Sequence, residues 1–209
     1  MATIDYTSEA SVTSLFPSEF IDDFTLFLGL DPAVASQHQP VDIVNLLRSC
    51  ISTVERDQWR FILRKSVVVH LPANRISPPE CDGRIYLPYG KVSALTTFTY
   101  VKESTPSVQT AITSDQYTLH SSEPSWIWAD NWYSVMTDLY EDHPLPINIT
   151  YTTGYSSFQE IPWSTLMAIK ILAYHQFVNR GESWQPLPDS YTHHMMHDML
   201  RNQRALDNV

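Results

Sequence analysis

Between Pro146 and Gly181 the hydrophobic pattern changes period. Ile147, Ile149 and Tyr151 alternate with Asn148, Thr150 and Thr152, the two-residue repeat of a half-buried strand. Gly154 interrupts the run where the backbone needs a positive φ. Pro162 suits the first turn of a helix, where its missing N–H is not needed, and Gly181 suits a left-handed end. At 100° per residue, Trp163, Leu166, Met167, Ile169, Ile171, Ala173, Tyr174, Phe177 and Val178 cover more than half of that helix's circumference. An ordinary surface helix carries a narrower stripe. The pattern therefore places this helix at the centre of the core, with several neighbours. Lys170 falls inside the apolar arc: its stem either snorkels the amine to water or aims it at a carboxylate of another subunit.

Upstream, residues 1–16 are polar and small and read as a flexible or partner-ordered arm. From Pro17 a short helix places Phe20, Phe24 and Phe27, with Ile21 and Leu28, on one face and stops at Gly29. Asp22 and Asp23 adjoin on it and read as a solvated face, because successive helical residues diverge. Pro40 opens a second helix in which Val44, Leu47, Ile51 and Val54 repeat at three-and-four spacing beside Leu46 and Cys50. Arg48, Glu55, Arg56 and Asp57 supply its polar side, and it fades near Trp59. Val67-Val68-Val69 within Phe61–Leu71, Ile85–Pro88 and Val92–Val101 read as strands. Lys102–Thr110 reads as polar and exposed. Tyr117–Leu119 and Trp126–Trp128 read as short strands of the same sheet.

After Gly181, Asp189 is a good N-cap for a last helix. Tyr191, Met195 and Met199 lie one turn apart on it, beside Met196 and Leu200, and form an adaptable stripe suited to a partner. Arg201 and Arg204 continue its polar face and suit a helix C-terminus. His193 and His197 have the spacing of a two-histidine metal site, but position 194 is His194 rather than the glutamate of a zinc-hydrolase motif. A solvated face is the default, and no metal or cofactor is expected. Trp126, Trp128 and Trp132 cluster. Trp126 and Trp128 point the same way on a strand, either as a stacking platform for a sugar or base or as an apolar patch packed on its own sheet or on another subunit.

These elements give an α+β fold: mainly a helical bundle of four helices, with an antiparallel β-sheet inserted between the second and third. Residues 17–209 form a single domain, with helices over 17–59, a β-rich insertion over 60–152 and helices over 162–206. The 209 residues suffice for one well-cored domain. A net charge of −10 argues against a protein that grips nucleic-acid backbones and permits one that nucleic acid slides past. Fourteen prolines against five glycines imply stiff connections. No run of eighteen apolar residues marks a membrane span, and the N-terminus lacks the pattern of a secretory signal. Phosphate-loop, dinucleotide, nucleophile-elbow and paired-cysteine motifs are missing, so the chain reads as a non-enzyme by elimination.

Three stretches carry a family resemblance. They are Val41–Trp59 running into Arg60-Phe-Ile-Leu; Ile85-Tyr-Leu-Pro-Tyr-Gly-Lys-Val with Leu95–Val101; and Ile149-Thr-Tyr-Thr-Thr-Gly-Tyr followed by Ile161-Pro162 and Leu166–Arg180. In this order they resemble the head–tail connector (adaptor) proteins of tailed bacteriophages. Family members often have Pro where Gly90 or Lys91 stands, and the stretch Ser104–Asp142 is longer and richer in Trp than the family pattern.

The resemblance implies a virion protein of the neck, assembled in the host cytoplasm. It implies a homo-oligomeric ring, a dodecamer, beneath the portal protein, with other neck or tail proteins on the far rim and double-stranded DNA passing through the lumen unbound. Within that picture Tyr191, Met195, Met196, Met199, Arg201 and Arg204 are candidates to meet the portal. Lys170, Tyr174, Trp126, Trp128 and Trp132 are candidates for the subunit interface. The alternatives are another neck or tail component, such as a stopper or tail-completion protein, and a carbohydrate-binding module using the tryptophans.

Overall fold

A computed structural model describes residues 3–8, 11–30, 40–73, 84–122, 124–129, 135 and 137–178. Eight strands and four α-helices occur among them: β1 (Thr3–Ser8), α1 (Val12–Leu15), α2 (Ser18–Phe27), α3 (Pro40–Gln58), β2 (Lys65–Leu71), β3 (Arg84–Tyr86), β4 (Val92–Lys102), β5 (Thr105–Ala111), β6 (Tyr117–His120), β7 (Trp126–Ala129), β8 (Ile147–Thr153) and α4 (Trp163–Val178). The chain forms two compact units. Among the described residues, one holds β1 and those from Arg64 to Gly154; the other holds α1, α2 and α3 up to Leu63 and, after Tyr155, α4.

The expectation of a helical bundle carrying one inserted sheet is overturned. The strands form two antiparallel sheets, one of five strands in the order β1-β2-β8-β4-β5 and one of three in the order β3-β7-β6. The larger sheet is not confined to an insertion, because β1 joins it from the N-terminus. Ile4 faces Val69 and Tyr6 faces Val67 across the β1–β2 ladder. Backbone N–H and C=O groups along β2 need partners on both sides, and residues 3–8, expected as an arm, supply one side. The segment read as exposed beyond Lys102 is an edge strand, β5, and its side chains are indeed mostly exposed. The two short strands assigned to the main sheet, β6 and β7, pair instead with each other, and β7 pairs with β3.

β8 lies at the centre of the five-stranded sheet, between β2 and β4. Its Ile147, Ile149, Tyr151 and Thr153 are fully buried, and Asn148 and Thr152 on the alternate positions are buried as well, so it is covered on both faces and not on one. Gly154 ends it at φ 103°, in the region that favours glycine.

In the helical unit, α3 and α4 pack against each other through Leu47, Cys50, Ile51 and Val54 and through Leu166, Ile169, Leu172 and Ala173. Phe16, Phe20 and Phe24 close the same core, with Phe16 and Phe20 ring centroids 5.0 Å apart. α3 stops at Trp59, whose φ of 53° is left-handed, and the Arg60 N–H returns to the Glu55 carbonyl at 3.2 Å. α4 begins after Pro162, whose carbonyl accepts from the Leu166 N–H at 3.1 Å. No helix among the described residues is long and apolar enough to cross a membrane.

Candidate interaction surfaces

α4 carries the wide apolar arc expected of it, and its own unit covers only part of that arc. Leu166, Ala168, Ile169, Leu172 and Ala173 are buried. Trp163 is 70% exposed, Tyr174 50% and Val178 58%. Met167 and Ile171 are half-buried between them. Positions 163, 167, 171, 174 and 178 follow a four-four-three-four spacing, so they lie on one side of the helix. Among the described residues the helix is thus buried on one face and bare on another. Phe27 of α2 extends the bare strip: its ring meets that of Tyr174 at 6.1 Å in an edge-on arrangement, and Leu26 beside it is also exposed.

The amine of Lys170 reaches Asp23 on α2 of the same chain. Neither bulk water nor another subunit's carboxylate is needed to account for it. Its Nζ also lies 5.4 Å from the Phe20 ring centroid and 5.7 Å from that of Phe27, within cation–π range. Asp23, read from sequence as part of a solvated face, is the partner the spacing did not reveal, because it lies 147 residues away.

The three-stranded sheet has a second distinctive face. Across its ladders Arg84, Trp128 and Thr118 stand in one row, and Tyr86, Trp126 and His120 in the next. Residues in such rows share a face. Trp126 and Trp128 therefore point the same way, as alternation requires. Trp126, however, is taken up by its own sheet: the His120 ring stacks on it at 3.6 Å and 12°, and the Arg84 guanidinium lies 4.5 Å from its centroid. Trp128 is the more exposed of the two. The opposite face carries Ile85 and Ile127, both buried.

Two of the stretches singled out in the sequence are fastened to each other. The Tyr151 hydroxyl on β8 donates to the Pro88 carbonyl at 3.0 Å, and the Thr153 hydroxyl lies 3.0 Å and 3.1 Å from the carbonyls of Tyr89 and Lys91. The Ile-Tyr-Leu-Pro-Tyr-Gly segment turns where Tyr89 and Gly90 both take positive φ. Burial, and secondarily the nearby Tyr89, hold the Tyr151 phenol well above its ordinary range. Sequence reasoning also missed Glu55. It belongs to the nominal polar side of α3 but is buried, and its Oε1 accepts from the backbone N–H groups of Ile62 at 2.7 Å and Leu63 at 2.9 Å.

Trp132 and the whole tail stripe of Tyr191, Met195, Met196, Met199, Arg201 and Arg204 lie outside the described residues, as do His193, His197 and Gly181. Among the described residues no group of three or more His, Cys, Asp or Glu side chains is placed to hold a metal ion.

No family model and no curated sequence matches the chain. Solved structures do match its fold. A chain from the virion of a native gene transfer agent (GTA) particle superposes with a TM-score of 0.66 at 18% identity, covering 98% of this chain and 97% of that one. A chain from the neck of an empty GTA particle computed with C6 symmetry gives the same values. A chain from the neck of a native GTA particle computed with C12 symmetry gives 0.61 at 17% identity over the same shares. The likeness spans both units, and it establishes that this chain shares the fold of proteins found in GTA particles.

Proposed function

We propose that this chain is a structural neck protein of a phage-type particle, a head–tail adaptor that forms a ring beneath the portal. One observation carries the reading: nearly the whole chain, and nearly the whole of its counterpart, share a fold with a chain of a neck computed with twelvefold symmetry. The three sequence stretches that resemble tailed-phage connectors point the same way, and two of them are fastened together through Tyr151 and Pro88.

On this reading the ring is a dodecamer whose copies meet partly through Tyr174, through the sheet face that carries Trp126 and Trp128, and through Trp132. The tail residues Tyr191, Met195, Met196, Met199, Arg201 and Arg204 dock on the portal. Another neck or tail protein takes the far rim. Double-stranded DNA passes through the lumen, where an acidic chain does not hold its phosphates. The role is mechanical, with no catalytic step.

Native mass spectrometry of the full chain, alone and mixed with the portal protein of the same particle, tests this. A ring, or a ring formed on the portal, is the expected result. Persistent monomer under both conditions overturns the reading. Binding to a preformed adaptor ring but not to the portal reassigns the chain as a stopper or tail-completion component.

A further inference from the structure

We infer that the bare strip of α4 (Trp163, Met167, Ile171, Tyr174 and Val178), widened by Phe27 of α2, is one half of the contact between neighbouring copies of this chain. The inference rests on the ring reading above and adds to it the face through which the ring closes.

The strip runs the length of α4, about 22 Å at 1.5 Å per residue. A helix with a bare face ordinarily places charged or amide side chains there; this one places two aromatic rings and three aliphatic or thioether side chains. The strip is also continuous. The Phe27 and Tyr174 rings touch edge-on, so it crosses from α4 to α2 and is two helices wide at that end. A contiguous apolar surface of this kind marks an interaction site.

Its occupant is a second copy. Each copy carries a net charge of −10, so copies repel across their polar faces, and close approach favours a face without charge. None of the five α4 positions is ionised at neutral pH. The charge closest along the helix, Lys170, is already matched by Asp23 within its own chain and asks nothing of a neighbour. Cyclic rings form through heterologous contacts, in which each copy offers two different surfaces. The strip is one of them, and chains of the same fold occur in necks computed with sixfold and twelvefold symmetry.

The test uses the full chain with benzoylphenylalanine in place of Tyr174, prepared as an equal mixture of nitrogen-15-labelled and unlabelled copies and irradiated under ring-forming conditions. Crosslinked peptides joining a heavy copy to a light one are expected. The combined variant Tyr174→Glu with Val178→Glu, at two exposed positions, is expected to keep the far-ultraviolet circular dichroism spectrum and to lower the ring population at least ~tenfold, in the range of a lost interface anchor. Crosslinks confined to residues 179–209 of the same copy overturn the inference, because the tail is then the occupant. Crosslinks only to added portal overturn it as well. A ring that persists undiminished in the glutamate variant overturns this inference and leaves the adaptor reading standing. A wild-type chain that never forms a ring overturns both.

Discussion

Lys170 on α4 and Asp23 on α2 form an ion pair with unequal surroundings: the lysine side chain is 8% exposed and the aspartate side chain 63%. The pair joins the two helices that carry the bare apolar strip, and the Phe20 and Phe27 rings flank the amine. The lysine gives up most of its water and receives a carboxylate and two aromatic faces in return. The aspartate stays largely hydrated, which weakens the attraction by screening.

Removing the aspartate leaves the buried amine without its counter-charge, whereas removing both groups leaves an apolar side chain in an apolar arc. Asp23→Asn is expected to destabilise the chain by about 1–2 kcal/mol, below the range for fully buried pairs because Asp23 is exposed. Adding Lys170→Met, of similar volume, is expected to recover most of that loss. Urea unfolding of the two single variants and the double variant gives the coupling directly. Additive losses would show that the pair is not coupled.

Glu55 holds the turn that follows α3. Its carboxylate accepts from two successive N–H groups, those of Ile62 and Leu63, both in buried residues. Glu55→Ala leaves those donors without an acceptor and is expected to cost about 2–4 kcal/mol, the desolvation of two buried amides. Glu55→Gln keeps a carbonyl oxygen at the same reach and is expected to cost less than half as much. Equal losses in urea midpoints for the two variants would show that packing, and not hydrogen bonding, sets the effect.

The elements whose periodicity is strong were legible in the sequence. The α4 pattern, the α3 repeat that ends at Trp59 and the alternation in β8 all stand within a few residues of where the sequence puts them. β1 was not legible, because Thr-Ile-Asp-Tyr-Thr-Ser carries only two large apolar residues. Its strand character comes from the unpaired edge of β2, which the local sequence does not encode. The division into two sheets depends on which strands pair, a long-range choice that Trp126–Ala129 makes with Arg84–Tyr86 and Tyr117–His120. Of the candidate residues, the width of the α4 arc was readable, but which flank stays bare depends on where α3 and α2 pack. The partner of Lys170 was hidden by sequence distance. The burial of Glu55 was hidden by its position on a face that is otherwise polar.

Two buried acids make the fold sensitive to alkali. Burial pushes the Cys50 thiol up to about 12, and burial likewise raises the Tyr151 phenol. In the unfolded chain these groups ionise near about 8.5–9 and 10 respectively. Above those values the unfolded chain has released protons that the native chain still holds. Stability contributed by both groups is therefore complete below about pH 8.5 and is lost progressively as the pH rises toward the folded values. Urea midpoints between pH 7.5 and 10.5 are expected to fall above pH 9. In Cys50→Ala the slope of unfolding free energy above pH 9 is expected to be shallower, by up to about 1.4 kcal/mol per pH unit for one proton. At pH 8 the native thiol is expected to resist iodoacetamide, read at the peptide containing Cys50. Rapid alkylation there, or an unchanged slope in the variant, would contradict the assignment.

Salt separates apolar association from association driven by charge. Each copy carries 23 acidic and 13 basic side chains, so bringing copies together accumulates like charge, and the inferred contact strip has no charges of its own to offset it. Screening lengths shrink from about 10 Å at 0.1 M salt to about 3 Å at 1 M, which removes the repulsion and leaves burial of Trp163, Ile171 and Tyr174 unaffected. Self-association is therefore expected to strengthen as sodium chloride rises from 0.05 to 0.5 M, measured by sedimentation velocity at fixed protein concentration. Binding to double-stranded DNA is expected to be absent across the same range, because release of counterions needs clusters of Lys and Arg that an acidic chain lacks. Association that weakens with salt would mean that opposite charges on two faces of the chain hold neighbouring copies together. The apolar strip would then be a bystander to the contact and not its centre.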